Sequence, residues 1–395
     1  MRKNTIQSIS EQTGYSVSTV SRVLSGKAQR SRISQKAIEI IQAEAKRINY
    51  TPNLLAQGLR TSRTYTIGLT VPGIDNPFFA TLASTVIENL KLAGYHTLLA
   101  DSLENEKDFE SSLMMFRSRS VDGIIAVPVG NTTELMDEIT GNIPTVLIDR
   151  YFEGTFLPYI CTDNYAGGYM ATEYLINRGC RNILSIQGVE GSTPSMERVR
   201  GFKDAISAHS EKQIEYAIVG DAFSVENGYD QVKRIFSDGV RYDAVFAYSS
   251  TILLGAIRAF RELGVRIPEQ VGIISFDNNG FLDFLDPAIT RIEQPLSEIG
   301  RLASQVLIDI IENKHQDLPP VQRLIAPTLI VRDSCRRRSW QTYPSEGSSF
   351  RLSAESATAA DDWSGWPTAN KFLPGVILVT CKIRLGEIFC GRRRL

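Results

Sequence analysis

The chain of 395 residues is 43% hydrophobic and 22% charged, and its formal net charge at pH 7 is −1. This length predicts two to three domains, and this hydrophobic content is sufficient for buried cores. The first ten residues lack the apolar core of a signal peptide and no apolar run reaches the roughly 18 residues of a membrane span, so we expect a cytoplasmic protein without a membrane partner.

The charge is distributed unevenly along the chain. Residues 1–63 contain eleven Lys or Arg residues against three Glu residues, a net charge of +8. A segment this basic favours a polyanionic partner, although a basic surface without a partner has the same composition. The near-neutral remainder is predicted to have another role.

The segment Thr5–Leu24 has the spacing of two short helices joined by a tight turn. Gly14 suits the positive φ of such a turn, and Ser16 offers an N-cap to the second helix. Apolar residues recur three or four positions apart in each half, so both helices can share one core: Ile6, Ile9, Val20, Val23 and Leu24. The pattern predicts a helix-turn-helix, although a surface helical hairpin has it too. The outward face of the second helix suits a DNA major groove and consists of Val17, Ser18, Ser21 and Arg22.

Two further helices are predicted before residue 60. The first covers Ser34–Ile48, has Ser34 as its N-cap and carries one apolar stripe. The second covers Pro52–Leu59, with Thr51 as its N-cap and proline at its first position. A helix of two turns is marginal in water, so we expect this one to order only when it docks on another structure. A polar linker follows it.

From Tyr65 onwards apolar runs alternate with amphipathic stretches, which is typical of βαβ units and predicts parallel sheets with helices on both faces. There are too many strands for one compact half, so we predict two α/β lobes with a ligand cleft beyond the carboxyl ends of their strands. Strands are predicted in TIGLTV, HTLLAD, GIIAVPV, TVLID, NILSIQ, DAVFAY and VGIISF, at 216–219 and in short segments between residue 311 and Val331. Helices are predicted near 77–93, 107–118, 166–177, 195–208, 225–236, 253–263 and 296–311.

Residues 336–395 have a different composition. They are rich in Ser, Thr, Ala, Gly and Pro, and their one apolar run, FLPGVILVTC, is too short to span a membrane. We expect this segment to lie outside the fold as a poorly ordered extension, with a functional module as the alternative.

Three runs, SVSTVSRVLSG, NYTPNLLAQGLRT and TIGLTVPGIDNPFFATL, resemble in this order the lactose-repressor and galactose-repressor family of bacterial transcription regulators. Further stretches such as CTDNYAGGYMATEYLINRG, VGIISFDNN and APTLIVRDS extend the resemblance over about residues 5–334. It implies an α/β fold in which a helix-turn-helix headpiece and a hinge helix precede a two-lobed, periplasmic-binding-protein-like core of parallel sheets flanked by helices.

The resemblance also implies domain boundaries. The headpiece covers residues 1–50 and the hinge helix with its linker covers 51–64. The effector-binding core covers 65–335, with lobe 1 at about 65–162 and 294–324 and lobe 2 at about 163–293 and 325–335. Residues 336–395 form the extension.

The resemblance implies an operator-binding repressor, controlled by a small molecule that is a sugar or a sugar derivative. Such proteins bind a pseudo-palindromic duplex as homodimers and need no cofactor or metal. The implied DNA-binding residues of the headpiece are Thr5, Ser16, Val17, Ser18, Thr19, Ser21 and Arg22. Those of the hinge are Asn53, Ala56, Gln57 and Leu59, where Leu59 matches the residue inserted between base steps; core packing is its alternative role.

In the cleft, the implied effector-binding residues combine aromatic faces with charged hydrogen-bonding groups, which suits a polyhydroxylated ligand. They are Phe78, Phe79, Asp149, Arg198, Phe223, Ser249 and Asp277. For the phenylalanines at 78 and 79, core packing is an alternative. Where the family usually has an Asn-Asp pair after the strand DAVFAY, this chain has Ser249-Ser250, which leaves the ligand class open.

An enzyme or a solute-binding protein on the same lobes is the alternative function. The sequence has no GxGxxG opening a helix, no GxxxxGK, no HExxH and no GxSxG, and its three histidines are scattered. The five cysteines form no CxxC pair, so neither a zinc site nor a disulfide framework is indicated. These absences favour a binding protein, and we predict that the chain is not an enzyme.

Overall fold

The computed structural model describes residues 5–24, 28, 31–50, 63–130, 133–239, 241–312 and 319–335. The predicted hinge helix, with Asn53, Ala56, Gln57 and Leu59, and the extension 336–395 lie outside the described residues. None of the helices in the described ranges combines the length and apolar character that a membrane crossing requires.

The headpiece contains the three predicted helices, α1 (Ile6–Thr13), α2 (Val17–Leu24) and α3 (Gln35–Arg47). Gly14 ends α1 with a φ of 74°, and Ser34 caps α3 by accepting a hydrogen bond from the amide of Ala37, as the sequence predicts. The helices share one small core, whose fully buried members include Ile9, Val20, Val23 and Ile41. The helix-turn-helix interpretation of this segment is therefore confirmed.

Lobe 1 contains a six-stranded parallel sheet in the order β11-β5-β4-β3-β1-β2. Its strands are β1 (Thr66–Val71), β2 (His96–Asp101), β3 (Gly123–Ala126), β4 (Thr145–Ile148), β5 (Tyr159–Thr162) and β11 (Gln322–Ile325). The helices of this lobe are α4 (Pro77–Leu92), α5 (Glu106–Ser118), α6 (Thr133–Thr140) and α11 (Leu296–Ile311). Apolar clusters cover both faces of the sheet, as is typical of parallel strands.

Lobe 2 repeats this architecture with a sheet in the order β12-β10-β9-β8-β6-β7, in which only β12 is antiparallel. Its strands are β6 (Asn182–Ile186), β7 (Glu215–Val219), β8 (Ala244–Ala247), β9 (Gly272–Phe276), β10 (Thr290–Glu293) and β12 (Thr328–Ile330). Its helices are α7 (Asn164–Asn177), α8 (Thr193–Ala208), α9 (Val225–Ser237) and α10 (Ser250–Leu263). The predicted two-lobed α/β fold is confirmed.

The chain passes between the two sheets three times, from β5 to α7, from β10 to α11 and from β11 to β12. Each lobe is therefore built from separated parts of the sequence, and the carboxyl ends of both sets of parallel strands border the space between the lobes. Ligands of open α/β sheets bind at this position.

Three elements are absent from the sequence prediction, the helix α6 and the strand β5 of lobe 1 and the strand β10 of lobe 2. Their length is not the reason, because the four-residue strands β3, β4 and β8 were predicted. Unlike those strands, β5 and β10 do not lie in a continuous apolar run: β5 has only Ile160 and Cys161 between Tyr159 and Thr162, and in β10 charged residues flank Ile292. No comparable reason is found for α6.

We expect Gly255→Ala to lower the free energy of unfolding by about 1–3 kcal/mol. A Cβ atom at residue 255 would lie 1.9 Å from the carbonyl oxygen of Val225 and 2.6 Å from the amide nitrogen of Tyr229. Because these are backbone atoms of α9, the two helices would have to separate. Thermal and urea unfolding measure the change, and Gly280→Ala is the control because no atom lies within 4 Å of the added Cβ. Equal stabilities of the two variants would contradict this packing argument.

Candidate functional site

The exposed face of α2 carries the predicted base-contacting residues. Val17, Ser18 and Arg22 are exposed, whereas Ser21 is half-buried. Ser16 accepts a hydrogen bond from the amide of Thr19, with a distance of 3.2 Å between its Oγ and that nitrogen. The sequence therefore directs the apolar side of α2 into the headpiece core and leaves a short polar face available.

Thr5 occupies the N-cap of α1 and forms a capping box with Ser8. Its Oγ1 accepts from the Ser8 amide at 3.2 Å, and the Ser8 Oγ accepts from the Thr5 amide at 3.0 Å. Thr5 thereby fixes the start of α1, and its side chain has a structural role whatever else it contacts.

All seven predicted effector-binding residues line one cavity between the two lobes. Four more residues complete its wall, Asn76, Arg150, Pro194 and Gln294. The cavity has a volume of about 20 Å³, roughly the space of one water molecule. Small-molecule sites typically enclose roughly 300–1,000 Å³, so a ligand enters this cleft only if the lobes or the lining side chains move.

Arg198 lies at the centre of the cleft and is only 2% exposed. Its Nε donates to the Oδ1 of Asn164 at 2.8 Å, its Nη1 donates to the carbonyl oxygen of Tyr248, and its guanidinium lies 3.6 Å from the ring centroid of Phe276. Burial lowers the pKa of Arg198 to about 10, while Asp277 and then Asp149 act in the opposite direction. The side chain is therefore a fixed cation at neutral pH. The helix around it, predicted near residues 195–208, begins at Thr193, so Arg198 lies in its second turn.

Asp277 follows β9 and adopts a φ of 76°, a left-handed conformation that aspartate tolerates better than most residues. Its Oδ2 accepts from the amide of Ser250 at 3.1 Å, and its Oδ1 accepts from the Nε2 of Gln294 at 2.8 Å. Gln294 in turn accepts from the Oγ1 of Thr162 at 2.7 Å. This chain of hydrogen bonds joins the end of β5 in lobe 1 to the end of β9 in lobe 2.

Asp149 follows β4, also with a left-handed φ, of 63°, and is 5% exposed. Burial raises the pKa of its carboxyl to about 6, although the guanidinium groups of Arg150 and Arg198 oppose the shift. Left-handed conformations of residues other than glycine store strain and cluster at functional sites. Both carboxylates of the cavity share this feature.

Arg150 lies between lobe 1 and lobe 2 at the side of the cavity. Its guanidinium carbon is 5.9 Å from the ring centroids of both Phe79 and Phe223. Two of its nitrogens donate to the carboxylate of Glu104, at 2.5 and 3.1 Å. Its Nε is buried without a hydrogen-bond partner, 3.6 Å from Oδ2 of Asp149.

The three phenylalanines of the cavity are placed by packing. Phe78 and Phe79 are buried in the core of lobe 1 and also line the cavity, so core packing and contact with a ligand are compatible there. Phe223 packs over Gly188, where an added Cβ would lie 2.2 Å from its ring. Only glycine at residue 188 leaves room for this ring.

Ser249 lines the cavity but also caps α10. Its Oγ accepts from the amide of Ile252 at 3.2 Å and lies 2.8 Å from the Oγ1 of Thr251. The next residue, Ser250, contacts both Asp277 and Asn279 through its hydroxyl group. The hydroxyl groups of both serines are therefore already engaged within the protein.

Sequence reasoning missed Arg150, Gln294 and Asn76. Arg150 directly follows Asp149 at the end of a predicted strand. Two adjacent charged residues at such a position are a signal by which Arg150 could have been predicted. Gln294 lies at the second passage between the sheets, and Asn76 is the N-cap of α4. Nothing in their local sequence marks these two as residues of a cavity.

Comparison with known proteins gives two family matches. Residues 5–53 match the bacterial regulatory proteins of the lacI family, and residues 172–335 match the periplasmic binding protein-like domain. A ribose operon repressor from Halalkalibacterium halodurans is 31% identical over 333 residues, which cover 84% of this chain and 97% of that repressor.

Two solved structures are also similar to this chain. One is a periplasmic binding protein/LacI transcriptional regulator from Alkaliphilus metalliredigens complexed with D-xylulofuranose; it has a TM-score of 0.61 and 31% identity, over 69% of this chain and 99% of its own. The other is a LacI family transcriptional regulator from Enterococcus faecium with bound ribose; it has a TM-score of 0.62 and 27% identity, over 69% of this chain and all of its own.

Proposed function

Because the chain belongs to the lacI family of bacterial regulatory proteins, we propose that it is a transcriptional repressor whose operator binding is controlled by a neutral, pentose-sized sugar in the cleft. One observation supports this ligand class: Asp149, Arg198 and Asp277, which come from both lobes, line one cavity together with three phenylalanine side chains. The named ligands of two similar structures, D-xylulofuranose and ribose, support it.

The charges of the cavity favour hydroxyl groups over an anionic ligand. Arg150 and Arg198 face the carboxylates of Glu104, Asp149 and Asp277, and four of their six guanidinium nitrogens already bind protein acceptors. A phosphate group needs several donors and would face both carboxylates of the cavity. A hydroxyl group, in contrast, accepts from the unsatisfied Nε of Arg150 and donates to Asp149, which lie 3.6 Å apart. The phenylalanine rings then cover the apolar side of the sugar.

We expect the affinity for such a sugar to fall as the pH drops below about 6. The pKa of Asp149 is raised to about 6, so the carboxyl is protonated at lower pH, whereas a ligand hydroxyl that donates to it stabilises its charged form. Binding then releases a proton, and the loss of affinity approaches about tenfold per pH unit well below 6. Calorimetric titration with D-ribose between pH 5 and 8 measures this dependence. In Asp149→Asn, which binds more weakly, the dependence should disappear; a wild-type affinity that is constant across this range would contradict the role of Asp149.

The DNA-binding part of the proposal assigns base contacts to Val17, Ser18 and Arg22 on the outward face of α2. Thr5, Ser16, Thr19 and Ser21 would then lie along the phosphate backbone, and the residues of the hinge, among them Leu59, would enter the minor groove. A helix of eight residues contacts few base pairs, so a twofold dimer on a pseudo-palindromic site would supply the missing specificity. We also propose that the chain has no catalytic activity and acts in the cytoplasm.

Selection of duplexes from a random library by the full chain tests this function. We expect a pseudo-palindromic consensus, a dimer in sedimentation with the selected duplex, and a DNA affinity that changes when D-ribose or D-xylulose is added. Enrichment of no sequence would contradict the repressor assignment. Enrichment with no response to any neutral pentose would leave the repressor assignment intact and overturn the ligand class.

A further inference from the structure

The segment through which the DNA-binding part joins lobe 1 is held by one carboxylate. The Oδ1 of Asp122 accepts from the amide and the hydroxyl of Thr64, at 2.7 and 2.9 Å, and its Oδ2 accepts from the amide of Tyr65 at 2.8 Å. The carbonyl oxygen of Ser120 also lies 3.0 Å from the Thr64 Oγ1, so the single hydroxyl hydrogen is shared between the two acceptors. Asp122 immediately precedes β3, so the carboxylate ties the incoming chain to the centre of the sheet.

Arg63 ties the same segment to a helix that begins at the effector cavity. Its Nη2 donates to the carbonyl oxygen of Ile311, the last residue of α11, at 2.7 Å. At its other end α11 begins at Leu296, two residues after Gln294 of the cavity. A helix of this length spans about 24 Å. It packs tightly on its neighbours: an added Cβ at Gly300 of α11 would lie 2.6 Å from Thr85 of α4, and one at Gly123 of β3 would lie 2.9 Å from Leu307 of α11.

We propose that Asp122 and Arg63 are positioning residues that couple the effector cavity to the DNA-binding part. We call these two residues, with Thr64 and Tyr65, the linker anchor. A change of lobe arrangement moves Gln294 and the start of α11, and because helices transmit displacements as rigid elements, the far end moves the linker anchor. This inference rests on the proposed function, since it assigns the route by which the cleft controls DNA binding.

Lobe 2 provides a matched control for the linker anchor. Asp243 precedes β8 as Asp122 precedes β3, and its Oδ2 accepts from the amides of Arg181 and Asn182 at 2.8 and 3.1 Å. The two carboxylates thus fasten the start of the first strand of their lobes in the same way. In lobe 2, however, the fastened segment is a turn after α7 and not the connection to the headpiece. Asp243→Asn therefore weakens the same kind of carboxylate–amide hydrogen bonds at the start of a first strand, but leaves the linker anchor unchanged.

The test uses the full chain and a duplex that the wild-type protein selects from a random library. Amide hydrogen exchange at residues 296–300, the cavity end of α11, is measured with and without this duplex. Because coupling between two sites is reciprocal, DNA binding should change exchange at this end of the helix, so the test needs no effector. We expect the duplex to change exchange in the wild type and in Asp243→Asn, and to have at least about a threefold smaller effect in Asp122→Asn and Arg63→Gln. Coupling changes of 0.5–2 kcal/mol, typical for residues along such a route, correspond to about 2- to 30-fold.

Thermal unfolding of the two aspartate variants verifies that both remain folded at the temperature of the exchange measurement. A wild-type response retained in Asp122→Asn and Arg63→Gln would overturn the inference and leave the repressor function standing. No response in the wild type itself would overturn both this inference and the proposed control of DNA binding by the cleft. A response lost equally in Asp243→Asn would show that Asp122 acts through general stability, which also overturns the inference.

Discussion

Replacing Arg198 with methionine should reduce sugar affinity by at least about 100-fold while leaving DNA affinity within about threefold of the wild type. Methionine retains the contact with the ring of Phe276 but removes the buried cation that faces Asp149 and Asp277. Truncating a buried, hydrogen-bonded charge at a binding site costs about 2–5 kcal/mol of binding free energy, and a 100-fold loss, about 2.7 kcal/mol, lies within this range. DNA contact is made by the headpiece and is therefore unaffected.

Arg200→Gln is the control for this substitution. Arg200 lies two residues further along α8, is exposed and forms a surface ion pair with Glu197, so its loss should change neither affinity by more than about twofold. Calorimetric titration with D-ribose and fluorescence anisotropy with the selected duplex give the two affinities. The substitution removes the hydrogen-bond donor of the carbonyl oxygen of Tyr248 and of the Oδ1 of Asn164, which lowers stability. Thermal unfolding therefore has to verify that Arg198→Met is folded. A folded variant that binds D-ribose normally would refute the assignment of the cleft.

The second large effect concerns α2. Arg22→Ala should weaken binding to the selected duplex by about 1–3 kcal/mol, the value of one bidentate contact to guanine, with little change on random DNA. Arg22 is exposed on the outward face of α2. Arg47, an equally long cation, lies at the end of α3 and forms an ion pair with Glu44. Arg47→Ala is thus the control for loss of charge alone. Equal losses on selected and random duplexes would show that Arg22 contacts phosphate and not bases.

Much of the fold follows from local sequence patterns. The headpiece was predictable because Gly14 and Ser34 are specific end signals for helices, and both occupy these positions in the structure. The long amphipathic helices of the lobes were found within a few residues of their ends. The strands β5 and β10 were missed because neither lies in a continuous apolar run of the sequence. They form strands because neighbouring strands of the sheets pair with them.

The candidate site was only partly accessible from sequence. Residues carried over from the family resemblance do converge in one cavity, but nothing local indicates that Arg150 lies between Phe79 and Phe223 or is paired with Glu104, 46 positions earlier. The role of Gln294 depends on the passage between the lobes, which brings Thr162 and Asp277 within hydrogen-bonding distance of one amide. Such contacts depend on how the chain is connected in three dimensions, and the local sequence pattern around each residue does not indicate them.

One titration tests whether a neutral sugar in the cleft controls DNA binding. Fluorescence anisotropy gives the affinity of the full chain for the selected duplex at increasing D-ribose concentration, for the wild type and for Arg198→Met. We expect the wild-type DNA affinity to change by about 5- to 150-fold at saturation and the affinity of the variant to stay constant. Saturable binding of D-ribose by the wild type, measured by calorimetry, together with an unchanged DNA affinity would contradict this control of DNA binding.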